Sequence, residues 1–358
     1  MIVVIADDVT GAAELAGVGV RYGLKVRICM EVPAPPVAGA EALAGVETVA
    51  GSGEVVARPV ELLVIAMDTR SMKRLDAADE LLRVIKAVLK LRPEWVYKKT
   101  DSVLRGHVVT ELNMMEGVMD VDRTLLVPAN PALGRTIKKG RYYINGVPIH
   151  ETSFSTDPEF PVKRSRIREM LGVPVAVLPL GSSLPDHAII VGEVETVADL
   201  DAWAGYVDKR VLPAGAAGFF EALLRKEGRE EDVKKTEDVM RRPILFVSGT
   251  AFYKTREISK PAEGEIVRLL REEGKAMIAG WPREEIAAQV RQVLSETTVR
   301  ELVIEGGATA YAVLRAVGLK SFVPLEELAP GVVRMRAGEM YITVKPGSYA
   351  WPEKLLTI

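Results

Sequence analysis

Short apolar runs alternate with longer amphipathic runs through most of this chain of 358 residues. A short apolar run bounded by turn residues is typical of a buried strand, and a longer run with apolar residues three and four apart is typical of a helix. Strands that alternate with helices form βαβ units, so the sequence predicts mostly parallel sheets covered by helices. In the N-terminal part, the predicted strands are Ile2–Ile5, Lys25–Cys29, Leu62–Ile65, Trp95–Tyr97, Thr124–Val127 and Ile189–Val191, and the predicted helices are Gly11–Tyr22, Leu75–Leu91 and His107–Met119.

The length of the chain predicts two domains, because a single hydrophobic core stops growing beyond about 250–300 residues. A charged stretch at 225–242 indicates a helix end followed by a linker, and it gives predicted domains at 1–228 and 243–358 with the linker at 229–242. The predicted fold class is α/β, with two domains that are each a mostly parallel sheet flanked by helices and with a cleft between them. The predicted elements after the linker are Ile244–Val247, Thr250–Ser259, Ala276–Ala279, Arg283–Leu294, Glu301–Ile304, Ala308–Val317, Val332–Met335 and Tyr341–Val344.

Composition excludes several function classes. The net charge is −2 at pH 7, so no global field attracts nucleic acid or a membrane surface, and we expect neither as a partner. No apolar run approaches the roughly 20 residues that span a bilayer. The single cysteine, Cys29, can form no intrachain disulfide, which fits a cytoplasmic protein. None of the three histidines has a Cys or His partner at metal-ligand spacing, so we expect no metal site built from protein ligands alone.

The segment from Tyr97 to Gly106 carries the densest group of functional side chains. It supplies two lysines, an aspartate, a serine and an arginine between a predicted strand and a predicted helix. In open α/β sheets, ligands bind at the carboxyl ends of the strands, and helix N-termini at that edge favour anions. The segment therefore indicates a site for an anionic, hydroxyl-rich small molecule. The side chains predicted to bind it are Lys99, Asp101, Ser102 and Arg105.

Two more predicted strand ends contribute to this site. Asp7 and Asp8 follow the first strand, where one can cap the next helix while the other holds substrate hydroxyls or accepts a proton. Arg70 follows the third strand, where it is either a surface side chain beside an N-cap aspartate or a bidentate partner for a carboxylate. Arg70, Lys99 and Arg105 together bring three cations to one predicted edge. A substrate that carries a carboxylate would satisfy them.

Three turns rich in small residues follow predicted strands of the second half, at 248–250, 305–310 and 345–348. Glycine lets the backbone approach a phosphate, and a helix N-terminus supplies N–H donors. None of these turns has the spacing of a P-loop or of the dinucleotide fingerprint, and a lone pair of glycines is usually just a tight turn. Together they indicate a nucleotide site. The residues predicted to line it are Ser248, Gly249, Thr250, Gly306, Gly307, Ala308, Thr309 and Gly347.

The segment 129–165 has many turn residues and little helical periodicity. The segment is long for a loop, and long loops are often functional or lid-like. The segment contains Arg135 in a proline-bounded turn and also His150, which we interpret as a solvated loop histidine.

Taken in order, these motifs resemble the four-carbon acid sugar kinase family. The resemblance spans nearly the whole chain and is most specific in residues 1–165. It implies a sugar-acid-binding domain at 1–228 and a nucleotide-binding domain at 243–358. The matching segments are Ala6–Ala12, Asp68–Arg70, Lys98–Gly106, Pro128–Pro131 with Gly134 and Arg135, Asn145–Pro148 with Glu151 and Thr152, Asp157 with Pro158, Gly306 with Gly307, and Lys345–Gly347.

The resemblance implies ATP-dependent phosphorylation of the 4-hydroxyl of an acid such as threonate, erythronate or 3-oxo-tetronate. ATP would carry Mg²⁺ on its phosphates, and a homodimer is compatible with the family. Arg70, Lys99 and Arg105 would hold the substrate carboxylate or the transferring phosphoryl group. Asp8 or Asp101 would orient and deprotonate the attacking hydroxyl. The catalytic residues are therefore predicted to be Asp8, Asp101 and Arg105, and the resemblance leaves Asp7 and Ser102 among the substrate ligands.

Two alternatives stay open on the sequence. One is a non-catalytic sugar-acid sensor with a degenerate nucleotide site. It is favoured by a second half shorter than in typical members and by Ala308, which stands where an acidic residue is common in the family. The other is an NAD-dependent α/β oxidoreductase, which the missing dinucleotide fingerprint disfavours.

Overall fold

A computed structural model of the chain describes residues 1–34, 44–48, 55–157, 160–232, 240–249, 264–280, 282–352 and 355. Within these residues the strands are β1 (Ile2–Ala6), β2 (Val26–Cys29), β3 (Ala44–Thr48), β4 (Val55–Pro59), β5 (Leu62–Ala66), β6 (Val96–Lys99), β7 (Arg123–Val127), β8 (Arg135–Lys138), β9 (Arg141–Ile144), β10 (Val147–Pro148), β11 (Ala176–Leu178), β12 (Ile189–Gly192), β13 (Val211–Gly215), β14 (Ile244–Ser248), β15 (Lys275–Ala279), β16 (Glu301–Glu305), β17 (Ser321–Ala329), β18 (Val332–Ala337) and β19 (Met340–Lys345). The helices are α1 (Val9–Arg21), α2 (Arg74–Lys90), α3 (Val108–Glu116), α4 (Ile167–Leu171), α5 (Val197–Ala204), α6 (Ala217–Lys226), α7 (Glu265–Glu272), α8 (Arg283–Glu296) and α9 (Gly307–Ala316).

The chain forms two compact units, and each is assembled from two separate stretches of sequence. Unit 1 contains Met1–Asp7 and Thr69–Glu231, and unit 2 contains Asp8–Asp68 and Asp232–Ile358. The sequential division with boundaries at residues 228 and 243 stays a prediction.

Unit 1 is built on a six-stranded sheet in the order β11-β12-β7-β13-β6-β1. All of its strand pairs are parallel, as predicted from the alternation of strands and helices. A parallel sheet is covered on both faces, and every residue of β1 is accordingly buried. The carboxyl ends of neighbouring strands therefore meet at one edge.

The interpretation of residues 129–165 as a long loop was wrong. Its residues include a three-stranded antiparallel sheet in the order β10-β9-β8. These strands are two to four residues long, which is too short to show an alternating pattern in the sequence. His150 is half-buried beside them, at the side of Glu151.

Unit 2 contains an eight-stranded sheet in the order β5-β2-β17-β18-β19-β16-β14-β15. Its pairs are parallel from β19 to β15 and between β5 and β2, and antiparallel from β2 through β17 and β18 to β19. The strands β3 and β4 form a separate antiparallel ribbon. The predicted two-domain α/β class is thus confirmed, with sheets that helices flank.

The elements predicted for the N-terminal part are confirmed to within a few residues at their ends. Sequence reasoning missed β13, a central strand of unit 1, because Pro213 interrupts it and proline is rare in central strands. The predicted helix Thr250–Ser259 lies outside the described residues. Among the helices that the structure describes, none is long and apolar enough to span a lipid bilayer.

The ion pair between Arg334 and Glu301 is buried inside unit 2. Arg334 on β18 and Glu301 at the start of β16 are both fully buried, and two N–H groups of Arg334 donate to the two carboxylate oxygens at 2.8 Å each. The ring of Tyr341 lies 4.5 Å from the guanidinium carbon of Arg334. Removing one partner of such a pair leaves a buried charge without compensation.

We therefore predict that Arg334→Met lowers the free energy of unfolding of unit 2 by about 3–5 kcal/mol. The matched control is Arg268→Met, which breaks an exposed ion pair with Glu272 on α7 and should cost about 0.5 kcal/mol or less. Urea unfolding followed by circular dichroism measures both values. Equal losses for the two variants would contradict the prediction.

Candidate functional site

The carboxyl edge of the unit 1 sheet gathers the polar residues predicted from the sequence. Strand β1 pairs with β6 so that Ala6 lies opposite Lys99, and Asp7 and Thr100 follow at the same edge. Arg70 lies in a single 3₁₀ turn, Thr69–Ser71, and its backbone N–H donates to the carbonyl of Asp7. The parallel register therefore brings residues far apart in sequence to one place.

Asp101 is the most heavily hydrogen-bonded carboxylate at this edge. Arg105 donates to it from Nε at 2.9 Å, from Nη2 at 2.8 Å and from its backbone N–H at 3.0 Å. The backbone N–H of Val103 donates to it at 3.2 Å. To make these bonds the loop turns through Leu104, whose φ of +64° is in the left-handed region. The loop is thus folded around the Asp101 carboxylate.

Acidic residues and arginines alternate along a chain of ion pairs that extends from Asp101 in two directions. Arg70 lies 3.4 Å from Asp101 and 2.8 Å from Asp7, and Arg105 donates to Asp157 at 2.8 Å. We call Asp7, Arg70, Asp101, Arg105 and Asp157 the carboxylate–arginine chain. Every member has a side chain that is at most 16% exposed, so water screens these charges little.

The surroundings of Asp101 fix its protonation state. Burial alone would raise its pKa, but the positive charges of Arg105 and Arg70 and the hydrogen bonds from Arg105 outweigh burial and hold the pKa well below the usual 3.8. For Arg105, burial lowers the pKa, whereas Asp101 raises it by more. Both groups are charged at neutral pH, and Asp101 is a weak proton acceptor.

The remaining predicted side chains of unit 1 lie at the same edge. Lys99 is buried and its Nζ donates to the carbonyl of Thr100 at 3.0 Å, and the Ser102 hydroxyl is hydrogen-bonded by Arg135. Lys98 points instead to a buried ion pair with Glu111 on α3, at 2.9 Å. Lys98 therefore ties β6 to α3, whereas Lys99 and Ser102 belong to the edge.

In unit 2, Asp8 is the N-cap of α1. Its Oδ1 accepts the backbone N–H of Gly11 at 2.7 Å, and its Oδ2 accepts the hydroxyl of Thr10 at 2.6 Å. Of the two aspartates that follow β1, Asp8 is thus the cap.

The Asp8 carboxylate also lies against the start of α9. A Cβ atom placed on Gly307 would be only 2.4 Å from Asp8 Oδ2, so this close approach requires glycine. The preceding Gly306 has a φ of +97°, which permits the sharp turn from β16 into α9. No side chain caps α9, and its first turn has no acidic residue. Its first N–H groups are therefore arranged as in anion-binding helix starts.

The other predicted nucleotide-site residues surround the same turn. A Cβ on Gly249 would be 2.2 Å from the hydroxyl of Thr309, which shows how closely the turn after β14 approaches α9. Ser248 donates to Glu305 at 2.6 Å, and Gly347 follows β19. Ala308 is in the first turn of α9. Thr250 lies outside the described residues.

Sequence reasoning missed several charged residues of both edges. Asp157 belongs to a motif of the family resemblance but was not predicted as a site residue. Its side chain is 5% exposed and pairs with Arg105. Arg135, on β8, is 8% exposed and lies with Arg105 beside the ring of Phe154. Glu305 and Lys345 form a buried ion pair of 2.7 Å. The only sequence signal for the unit 2 pair is that each charge directly ends an apolar strand. Among the described residues no group of three or more His, Cys, Asp or Glu side chains is arranged to hold a metal ion.

Two family models together match almost the whole chain. Residues 2–223 match the sugar-binding N-terminal domain, and residues 220–349 match the nucleotide-binding C-terminal domain. A D-threonate kinase from Bordetella bronchiseptica is 27% identical over 62% of this chain and 54% of its own length, and one from Salmonella typhimurium is 26% identical over 81% and 67%. The chain thus spans between about half and two thirds of the length of these curated relatives. A 3-oxo-tetronate kinase from Methylobacterium radiotolerans is 23% identical over 96% of this chain and 95% of its own.

Solved structures share the fold at low identity. A Salmonella typhimurium protein has a TM-score of 0.75 at 17% identity, covering 99% of this chain and 98% of the other. A Bordetella bronchiseptica protein, a domain-swapped dimer with bound citrate, has a TM-score of 0.51 at 20% identity, covering 99% and 96%.

We predict that Asp101→Asn lowers the free energy of unfolding of unit 1 by about 3–5 kcal/mol at neutral pH, because Arg70 and Arg105 lose their shared counter-charge. A carboxyl whose pKa is depressed by folding stabilises the fold above its unfolded pKa, and this contribution is lost as the pH falls. The difference between wild type and Asp101→Asn should therefore shrink below pH 3.8.

Urea unfolding at pH 7, 5 and 3 tests this expectation. The exposed Asp76 on α2 provides the control, since Asp76→Asn should change the stability little at each pH. A difference for Asp101→Asn that stays constant from pH 7 to pH 3 would rule out the ionised carboxylate as its source.

Proposed function

Because this chain belongs to the four-carbon acid sugar kinase family, we propose that it transfers the terminal phosphoryl group of ATP to the 4-hydroxyl of a four-carbon sugar acid. One observation carries the proposal. The Asp8 carboxylate, suited to hold a hydroxyl, lies against Gly307, where the uncapped α9 offers N–H donors suited to phosphate. A proton acceptor and an anion site side by side are what hydroxyl phosphorylation requires.

We assign proton abstraction to Asp8 rather than Asp101. Asp101 already accepts four hydrogen bonds and has a strongly lowered pKa, which makes it a poor base. Asp8 accepts the backbone N–H of Gly11 and the hydroxyl of Thr10, and its carboxylate lies against the start of α9, where the phosphates would bind. In this assignment Asp101 is a positioning residue that orients Arg105 and Arg70.

The edge of unit 1 would bind the substrate carboxylate. Asp7, Asp101 and Asp157 are set there against a larger number of cations, namely Arg70, Lys99, Arg105 and Arg135. The citrate in the related Bordetella bronchiseptica structure supports a carboxylate ligand for this fold. Threonate, erythronate and 3-oxo-tetronate are the candidates, and Ser102 would donate to one of their hydroxyls.

The turns of unit 2 fit a nucleotide with Mg²⁺. Gly249 and Gly307 leave room that a Cβ atom would fill, and α9 begins without a cap. When bound, Mg²⁺ would neutralise charge on the ATP phosphates. The backbone from Gly306 to Thr309 would donate to phosphate oxygens, with Ser248, Gly249, Thr250 and Gly347 lining the site. We also propose a homodimer, which the related domain-swapped dimer supports.

A test of the proposed reaction is ADP release with ATP and Mg²⁺ against threonate, erythronate and their 2- and 3-oxo forms. We expect turnover with one acid and none with an acid lacking the 4-hydroxyl. Binding of an acid by calorimetry, with no ATP binding and no ADP release, would instead favour a sugar-acid sensor. The absence of an acidic residue from the first turn of α9 is the observation that keeps this second candidate in view.

For the base, we predict that Asp8→Asn lowers kcat by about 10²–10⁴-fold with little change in KM for the acid. Asparagine is as good an N-cap as aspartate, so α1 and the melting temperature should be preserved. Full kcat in Asp8→Asn would refute the assignment. Asp76→Asn is the control, and it should keep wild-type kinetics.

A further inference from the structure

Three neighbouring parallel strands of unit 2 end in functional side chains. Ser248 ends β14, Glu305 ends β16 and Lys345 ends β19, and the register pairs Ser248 with Glu305 and Glu305 with Lys345. Ser248 Oγ donates to Glu305 Oε2 at 2.6 Å, and Lys345 Nζ donates to Glu305 Oε1 at 2.7 Å. A hydroxyl, a carboxylate and an ammonium therefore lie in a row at the carboxyl edge, directly before the turn into α9.

The Glu305–Lys345 pair is buried deeply. Glu305 is 2% exposed and Lys345 is fully buried, with its Nζ also donating to the carbonyl of Pro346 at 2.8 Å. Removing two charges from water costs several kcal/mol per ion, and their attraction rarely exceeds that cost. Stability alone thus gives little reason to keep this pair.

Strand β16 offers an internal comparison. Its first residue, Glu301, is held by the two-pronged guanidinium of Arg334, whose planar fork fixes both oxygens. Its last residue, Glu305, is held by an ammonium, a compact charge on a flexible stem with three rotatable donors. An ammonium can turn to another anion without losing its own geometry. The Glu305–Lys345 pair beside α9 is therefore better suited than the Glu301–Arg334 pair to exchange one partner for a ligand.

The same three groups are those with which proteins hold a magnesium triphosphate. Mg²⁺ prefers carboxylate and hydroxyl oxygens, and it is bound through one or two carboxylates together with substrate phosphates. A lysine ammonium contacts the phosphates, as in P-loops, where a serine or threonine hydroxyl reaches the metal. Here the three groups come from three strand ends rather than from one loop.

We propose that Ser248 and Glu305 hold the Mg²⁺ of a bound magnesium–ATP complex, while Lys345 turns from Glu305 to the triphosphate. This inference rests on the proposed function and deepens it. Mg²⁺ alone is opposed by the ammonium of Lys345, and ATP alone is opposed by the carboxylate of Glu305. Metal and triphosphate together satisfy both, so each raises the affinity of the site for the other.

The test measures ATP binding by isothermal titration calorimetry, with Mg²⁺ and with EDTA. We expect wild type to bind ATP at least about tenfold more tightly with Mg²⁺, a difference of about 1.4 kcal/mol. In Glu305→Gln this Mg²⁺ dependence should disappear, and metal-free ATP should bind at least as tightly as it does to wild type. The control is Glu301→Gln, which alters the buried pair at the other end of β16 and should keep the Mg²⁺ dependence.

A second variant keeps the test decisive if Glu305→Gln does not fold. Ser248→Ala keeps the buried ion pair, and it should reduce the factor by which Mg²⁺ tightens ATP binding. Full Mg²⁺ dependence in Glu305→Gln, or in Ser248→Ala when the former does not fold, would overturn the metal assignment and leave the kinase proposal standing. Wild type that binds no ATP under either condition would overturn both.

Discussion

The pairing of Asp101 with Arg105 and Arg70 is the interaction on which the carboxyl edge of unit 1 depends. A guanidinium keeps its charge inside proteins, so each buried arginine has to be balanced by an acid. Asp101 balances two arginines at once, and Asp7 and Asp157 complete the neutralisation at the two ends. The same contacts fix the orientation of both guanidinium groups. The acids of this edge therefore hold the arginine side chains in fixed positions.

Strand β16 of unit 2 carries two buried carboxylates, and each is paired with a different kind of cation. At the amino end of β16 a planar fork clamps a carboxylate inside the sheet. At the carboxyl end of β16, the Lys345 ammonium and the Ser248 hydroxyl both donate to the Glu305 carboxylate, directly before the glycine turn into α9. The first arrangement lies within the sheet, where Glu301 also accepts the backbone N–H of Arg241, and the second lies where a helix begins without a cap. The chemistry of the cation therefore distinguishes a structural pair from one suited to ligand exchange.

Much of this arrangement follows from sequence because parallel strands deliver their ends to one edge. The alternation of apolar and amphipathic runs predicted where strands end, and in unit 1 the structure has Asp7 directly after β1 and Asp101 two residues after β6. The same alternation could not predict the partners of these side chains. A substrate carboxylate was one predicted partner of Arg70, whereas in the structure Arg70 pairs with Asp7 and Asp101. Partner choice depends on tertiary packing. Asp157 and Arg135 were overlooked for the same reason, because the short strands around them leave no periodic signal.

The interleaved composition of unit 2 has a consequence for how the chain acquires its structure. Helix α1 packs against β2 and β5, which follow it closely in the chain, and against β17 and β18, which are translated only after the whole stretch of unit 1 from Thr69 to Glu231. Until then the ion pair of Arg21 with Glu327 and the hydrogen bond of Tyr349 to Glu14 cannot form. The part of α1 that packs on β17 and β18 therefore stays uncovered while the residues of unit 1 from Thr69 onward emerge without interruption. The turn at Gly307 meets Asp8 only after that stretch has been translated, so a chain truncated before α9 has no such contact.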